Sequence, residues 1–243
     1  MIDGVTSRAL DRLDARMEDL SNQYEPGYIP TLDDDNKTSG PRAVASLDEL
    51  HTTAPQDTFY VCVDAQGRRF YTRDGAFDLQ ESALRTKDGS SVLGFLPDAP
   101  AGSSPQALGV DPIDAVLGRA SDAKIDADGT FEYSRKTIDP RTGAAKSERV
   151  VVGRLALARF PDGTRITAAD GVHATAPAGV EAMLGVPKSD SFRGLVVHSD
   201  DRGGIDIQAG LSHLRESFLA FNVMQSAQNA HGHTDQVAMD LIK

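Results

Sequence analysis

The sequence predicts a mainly β protein: an antiparallel central body, with N- and C-terminal α-helices that form a coiled-coil-like inner domain. Three observations lead there. Between residues 51 and 208, short runs of β-branched, aromatic and aliphatic residues alternate with turns, several of them Asp-Gly, and no helical segment intervenes. Strand–turn order of this kind is the pattern of an antiparallel sheet. At both ends, apolar residues instead recur at steps of three and four, the helical period. Finally, 243 residues are about 1.6 times a typical domain of ~150, which fits one sizeable body plus extra segments.

The N-terminal helix spans residues 1–24. Ile2 and Val5 are followed by Leu10, Leu13, Met17 and Leu20, an a/d seam. Arg8 with Asp11 and Arg16 with Asp19 stand three residues apart on the charged faces. Taken alone, such a stripe reads as the buried face of a surface helix. Residues 25–50 read as an extended linker, with Pro26-Gly27, Pro30, the run Asp33-Asp34-Asp35 and Gly40-Pro41.

The body, 51–208, opens with a hairpin in which Thr58–Val63 returns through Asp64–Gly67 into Arg68–Thr72. Phe77–Leu79 and Val92–Leu96 read as short strands around Lys87-Asp88-Gly89. Lys124–Ala127 and Thr130–Ser134 form a hairpin around Asp128-Gly129, and Val150–Phe160 is one long strand. Gly194–His198 and Ile205–Gln208 make a last pair around Asp200–Gly204. Residues 97–114, rich in Pro, Gly and Ser, read as a surface loop or insertion. The C-terminal helix spans 209–243. Leu211, Leu214, Phe218 and Phe221 form one stripe; Val223, Ala227, Ala230, Thr234, Val237 and Leu241 form a second. The seam changes face near residue 222, as a stutter does.

Charge excludes several classes of function. Lys and Arg number 25 against 36 Asp and Glu, a net charge of −11, the wrong sign for phosphate backbones or anionic bilayers. No apolar run reaches membrane-spanning length. Aromatics are 6% with no Trp, which leaves few platforms for stacking sugars or bases. The single cysteine forbids an intramolecular disulfide. Cys62, inside Phe59–Val63, reads as a buried inert thiol, with a nucleophile as the lesser alternative. The first residues hold no apolar h-region, so the expectation is a cytoplasmic protein or one exported without a cleaved signal.

The search for chemistry is thin. There is no G-x-S-x-G elbow, no phosphate-binding glycine loop and no dinucleotide fingerprint. Asp126-Ala127-Asp128-Gly129 has its glycine at the wrong place for a calcium loop and reads as a hairpin turn. His231 and His233 lie two apart, on opposite sides of a helix, so they cannot share a metal. Asp74, Asp78 and Glu81 can be imagined as a glycosidase pair but have no supporting constellation, and Asn36-Lys37-Thr38 is a chance acceptor motif. The expectation is no enzyme, no cofactor and no metal.

Four segments in order carry a resemblance. Leu20-Ser21-Asn22-Gln23-Tyr24-Glu25-Pro26-Gly27-Tyr28 resembles the L-[AS]-N-x-x-x-[PT]-G-[YF] signature that follows the first helix of flagellar rod and hook proteins. Asn22 suits a helix end, and Pro26-Gly27 a type II turn that releases the chain. Tyr71-Thr72-Arg73-Asp74-Gly75-Ala76-Phe77 is close to the family's [FY]-[ST]-R-x-G-x-F and continues to Asp88-Gly89 and Val92-Leu93-Gly94. Lys124–Thr130 and Val152–Phe160 are similar to two further family blocks, and Met224–Ala230 to its C-terminal helix. The chain departs from the pattern before Phe59, at Asp19, at Leu211–Leu214 and at Asn229–His233.

The resemblance implies a structural subunit of the bacterial flagellar basal-body rod. Its motif residues are Asn22, Pro26, Gly27, Tyr28, Arg73, Gly75 and Phe77. Its assembly interface is Leu10, Leu13, Met17, Leu20, Leu214, Phe218, Phe221, Val223, Ala227, Ala230, Val237 and Leu241. The implied partners are other copies of the chain and neighbouring rod or hook subunits. Transport goes through the flagellar type III export apparatus, to a rod that spans the periplasm. Terminal faces left wet in the monomer would order on assembly, in heterologous contacts that do not close. The alternative is a secreted β-rich adhesin or ligand-binding module. A glycan hydrolase acting on peptidoglycan is a further rival.

Overall fold

The computed structural model describes residues 2–22, 28, 42–201 and 207–241, apart from 101, 140, 142, 163, 165 and 169–171. The order is α1 (Ile2–Ser21), β1 (Ala43–Ala45), β2 (Thr52–Thr53), β3 (Thr58–Val63), β4 (Arg69–Thr72), β5 (Asp78–Gln80), β6 (Ala83–Arg85), β7 (Ser91–Phe95) and β8 (Gln106–Ala107). There follow α2 (Pro112–Val116), β9 (Ala120–Ile125), β10 (Thr130–Ile138), β11 (Ala145–Leu155), β12 (Leu157–Arg159), β13 (Thr167–Ala168), β14 (Ala174–Thr175), β15 (Met183–Gly185), β16 (Val196–Val197), β17 (Ser199–Asp201) and α3 (Ile207–Leu241). The chain divides into a helical unit holding α1 and α3 and a β unit holding the rest.

The β unit is one large antiparallel sheet with two small two-stranded additions. Its spine runs β13-β14-β4-β3-β7-β11-β10-β9. Strand β3 is the centre. It pairs with β4 along one edge (Tyr60 opposite Thr72, Val63 opposite Arg69) and shares its other edge between β12 and β7. Both of its faces are covered. Phe59 and Val61 pack with Tyr71, Ala158 and Phe160. Tyr60 and Cys62 pack with Phe77, Leu84, Phe131 and Leu155. A strand buried on both faces reads as an unbroken apolar run, as Phe59-Tyr60-Val61-Cys62-Val63 does. Cys62 is fully buried, and burial pushes its thiol well above the ordinary range.

The sharing of the β3 edge explains one difference from the sequence reading. Val150–Phe160 is not one strand. It breaks at Ala156, which donates its N–H to Leu93 O at 3.0 Å and accepts from Val61 N at 3.3 Å. Upstream of the break the chain pairs with β10 and β7; downstream it pairs with β3 and β15. Residues 97–114 are also more than a surface loop. They contain β8 and the start of α2, and they deliver Leu108 and Val110 into the core. Leu108 lies over Gly94 and Gly153, where an added Cβ would come within 2.5 and 2.9 Å of its methyls.

Among the described residues the expected pairing of Gly194–His198 with 205–208 is not formed. Ile207 and Gln208 already belong to α3, and residues 196–201 find their partners far upstream. Val196 and Val197 pair with Thr53 and Thr52, and Ser199–Asp201 pair with Ala45–Ala43. Residues 43–50, read as linker, therefore take part in the β unit, where Leu50 joins the main core.

The coiled-coil-like inner domain is likewise corrected. Among the described residues the chain is mainly β with three helices, and no coiled-coil pair of N- and C-terminal helices is formed. A coiled coil buries its a and d residues as knobs in holes. Here Leu10 and Met17 are exposed, Phe218 is 53% exposed and Val223 69%. The reason lies in α3: its apolar residues change face near residue 222, so no single stripe runs its length, and Leu219 is exposed off the seam. No helix among the described residues is long and apolar enough to cross a membrane.

Candidate assembly surface and its anchor

In the helical unit, α1 and α3 approach along Arg8–Arg12 and Ser217–Met224, around a cleft of about 550 Å³. Leu13, Leu20, Leu214 and Phe221 are half-buried there, while Leu10, Met17, Phe218 and Val223 remain exposed, as do Ala227 and Ala230. The side chains of Val237 and Leu241 lie outside the described residues. Asn22 takes the end of α1, its N–H donating to Glu18 O at 3.0 Å. Within residues 7–21 of α1, whose side chains are described, only Asp19 is buried. Pro26 and Gly27 also lie outside the described residues. Tyr28 is 4% exposed, an aromatic anchor within a segment read as linker.

The motif Arg73-Asp74-Gly75-Ala76-Phe77 is in the β unit, and each of its parts has a physical task. Phe77 is fully buried and meets Tyr60 edge-to-face, centroids 4.9 Å apart. Gly75 lets two backbones touch: Thr52 N donates to Gly75 O at 3.0 Å, and a Cβ on residue 75 would stand 1.9 Å from Thr52 O. Asp74 folds the loop by accepting from Ala76 N at 3.0 Å, and its own N–H donates to Thr72 Oγ1. Arg73 reaches Asp201 at 3.4 Å, both side chains largely buried.

Asp201 ends β17, the last described strand before α3, and it pairs with Ala43 at the start of β1. The two chain ends of the β unit thus cross at a single strand pair. Polar side chains fasten it. Ser199 Oγ donates to Thr53 Oγ1 at 2.9 Å, and Thr52 Oγ1 shares a 2.8 Å hydrogen bond with the Tyr60 hydroxyl. His51 Nδ1 lies 2.7 Å from Asp200 and 3.0 Å from Ser46 Oγ. Burial pushes the Asp201 carboxyl above its ordinary value, against the opposing charge of Arg73; burial raises Asp74 too, against its hydrogen bond from Ala76. Ionised carboxylates in such a place need their partners.

The groups considered for catalysis are occupied with local structure. Asp78 caps Leu79 N at 2.8 Å, and Glu81, at a φ of 50°, faces Arg85 at 3.9 Å. Asp126–Gly129 is a hairpin turn: Gly129 N donates to Asp126 O at 2.8 Å, and Lys124 holds Asp126 at 2.8 Å. Among the described residues no group of three or more metal-ligating side chains converges. The Asp33–Asp35 run and the side chains of His231 and His233 lie outside the described residues.

Sequence reasoning missed the fastening residues His51, Thr52, Ser199, Asp200 and Asp201, because the strand pairs that unite them join positions some 150 residues apart. It also missed Asp114, which is buried on α2 while Val116 is exposed: the Tyr133 hydroxyl donates to its Oδ2 at 2.7 Å, and the Arg135 guanidinium donates to the same oxygen. No protein-family model matches the chain, and no curated protein matches it significantly.

Proposed function

We propose that the chain is a structural subunit of the bacterial flagellar basal-body rod. Copies of it, with neighbouring rod or hook subunits, would assemble helically through α1 and α3 and transmit torque. The flagellar type III apparatus would export it to the periplasm-spanning rod without a cleaved signal, and no cofactor takes part. The observation that carries this reading is the pairing of two features. Leu10, Met17, Phe218 and Val223 present apolar surface on the helical unit that stays exposed among the described residues. The strand that leads toward α3 is tied into the β unit by Arg73 of the family-like motif. Exposed apolar faces at this density mark interaction sites, and burying a Leu-sized side chain is worth about 1.5–3 kcal/mol. A subunit that transmits shear needs such contacts and a firm tie from them into its body.

The test is mass spectrometry of purified basal bodies from the native organism, with a swimming assay of the deletion strain. Stoichiometric presence and loss of swimming are expected. Absence from basal bodies with normal swimming rejects the proposal and favours a secreted adhesin or ligand-binding module.

A further inference from the structure

Edges of the large sheet differ in character. At one end of its spine β9 is blunted: Asp122 kinks it at a φ of 51°, its register with β10 slips between Glu132 and Ser134, and Ile125 donates its N–H to Glu49 O at 3.1 Å. Natural edges carry such devices because a row of unpaired N–H and C=O groups is a template for another strand. The first half of β11 carries none of them. At 11 residues it is the longest described strand, and Ala145–Arg149 is exposed throughout, with no Pro or Gly. Its pairing with β10 runs without a slip from Val151 opposite Glu132 to Ala145 opposite Ile138. On its other side β11 meets β7 only at Arg154 and Leu155. Among the described residues no strand covers Ala145–Arg149 there.

The ladder fixes which groups this edge offers. Asp139 donates its N–H to Ala144 O at 2.9 Å, just past the end of β10. Backbone direction alternates along an antiparallel strand, so Ala144, Lys146 and Glu148 turn their N–H and C=O toward β10. Ala145, Ser147 and Arg149 turn theirs outward. Lys146 and Glu148 stand on one face of the strand, one on each side of Ser147. Neither has an ion-pair partner among the described residues, whereas Arg149 pairs with Glu132 at 3.0 Å and Arg135 with Asp114.

We propose that two copies of the chain pair along this edge, β11 against β11, antiparallel about a two-fold axis at Ser147. Ser147 then faces Ser147 of the second copy, and Ala145 faces its Arg149; these are the positions that exchange backbone hydrogen bonds. In the same register Lys146 stands opposite Glu148 of the second copy, and Glu148 opposite its Lys146. Opposite charges directly across a strand pair stabilise it, and like charges destabilise it. That selects the register. Centring the pair on Lys146, Glu148 or Arg149 sets that residue against its own copy. Charges blunt an edge when like meets like; here the sequence Lys146-Ser147-Glu148 is its own complement. The contact is isologous and closes. It joins free copies, lies apart from α1 and α3, and does not rest on the rod reading.

Sedimentation of the purified full chain over a concentration series tests this. A reversible monomer–dimer equilibrium is expected. Lys146→Glu sets carboxylate against carboxylate at two positions and should weaken dimerisation by about tenfold. The double change Lys146→Glu/Glu148→Lys reverses both charges, keeps the complementarity and should restore the parental equilibrium. Ser147→Pro removes the outward N–H at the axis. A proline is tolerated where an edge N–H faces solvent, so far-UV circular dichroism should be unchanged while the dimer is lost. A chain that stays monomeric at every concentration overturns the proposal. So does a dimer that a folded Ser147→Pro chain retains, or a double change that dimerises no better than Lys146→Glu. The rod reading is judged separately, by presence in basal bodies.

Discussion

Replacing Gly75 by Ala should loosen the point where the chain ends cross the β unit. The new methyl carbon would stand 1.9 Å from Thr52 O and 2.9 Å from both Cε2 and the hydroxyl of Tyr60. Neither neighbour is a free end. Thr52 is held in β2 by its pairing with Val197, and Tyr60 is locked against Phe77 and hydrogen-bonded to Thr52 Oγ1. Relief requires the loop and β2 to part, which gives up the Thr52–Gly75 hydrogen bond, a loss of about 1 kcal/mol. Overpacking a dense core adds about 1–3 kcal/mol. The sum, about 2–4 kcal/mol, is a large part of a typical total stability and lowers the melting temperature by about 5–15 °C for a chain of this size. Thermal and urea melts followed by far-UV circular dichroism read this directly. A Gly75→Ala protein as stable as the parent would refute the claim that backbone contact, and not turn conformation, requires glycine here.

Three further outcomes are expected. Leu108→Ala should cost about 2–5 kcal/mol in urea melts, the penalty of a core residue, because Leu108 is fully buried although it comes from a Pro- and Gly-rich stretch. Stability should depend on pH in two opposed ways. Asp64, Asp88, Asp114 and Asp128 have carboxyls held below the ordinary value by their hydrogen bonds, so stability present above about pH 4 is lost as pH falls through their folded values. Asp74 and Asp201 are raised by burial, so they make stability decline as pH climbs from about 4 through their folded values. Asp201→Asn should flatten that second slope in melts across the pH range. Val223→Asp, at an exposed position, should change stability by less than about 0.5 kcal/mol yet abolish swimming when it replaces the native copy. Normal swimming would detach α3 from the assembly.

What the sequence determined by itself was whatever depends on near neighbours. The three-and-four period at the ends places α1 and α3, because helical hydrogen bonds are local. The unbroken run Phe59–Val63 marks a strand buried on both faces, and Asp128-Gly129 marks a turn whose glycine takes a φ of 80°. The tertiary structure decided everything that depends on a distant partner. Residues 196–201 carry no local sign that they pair with 43–53 and not with 205–208. Ala156 looks no different from its neighbours, and only the edge of β3, divided between two strands, makes it a break. Leu108 lies in a stretch that reads as loop, and its burial is set by the space above Gly94 and Gly153. Asp114 shows the limit most sharply. By pattern it belongs outside with solvent and Val116 inside, but a tyrosine and an arginine about twenty residues onward on β10 satisfy the carboxylate. Period and composition report which faces are apolar; whether a face is covered, and by what, is fixed by groups that only the folded chain brings within reach.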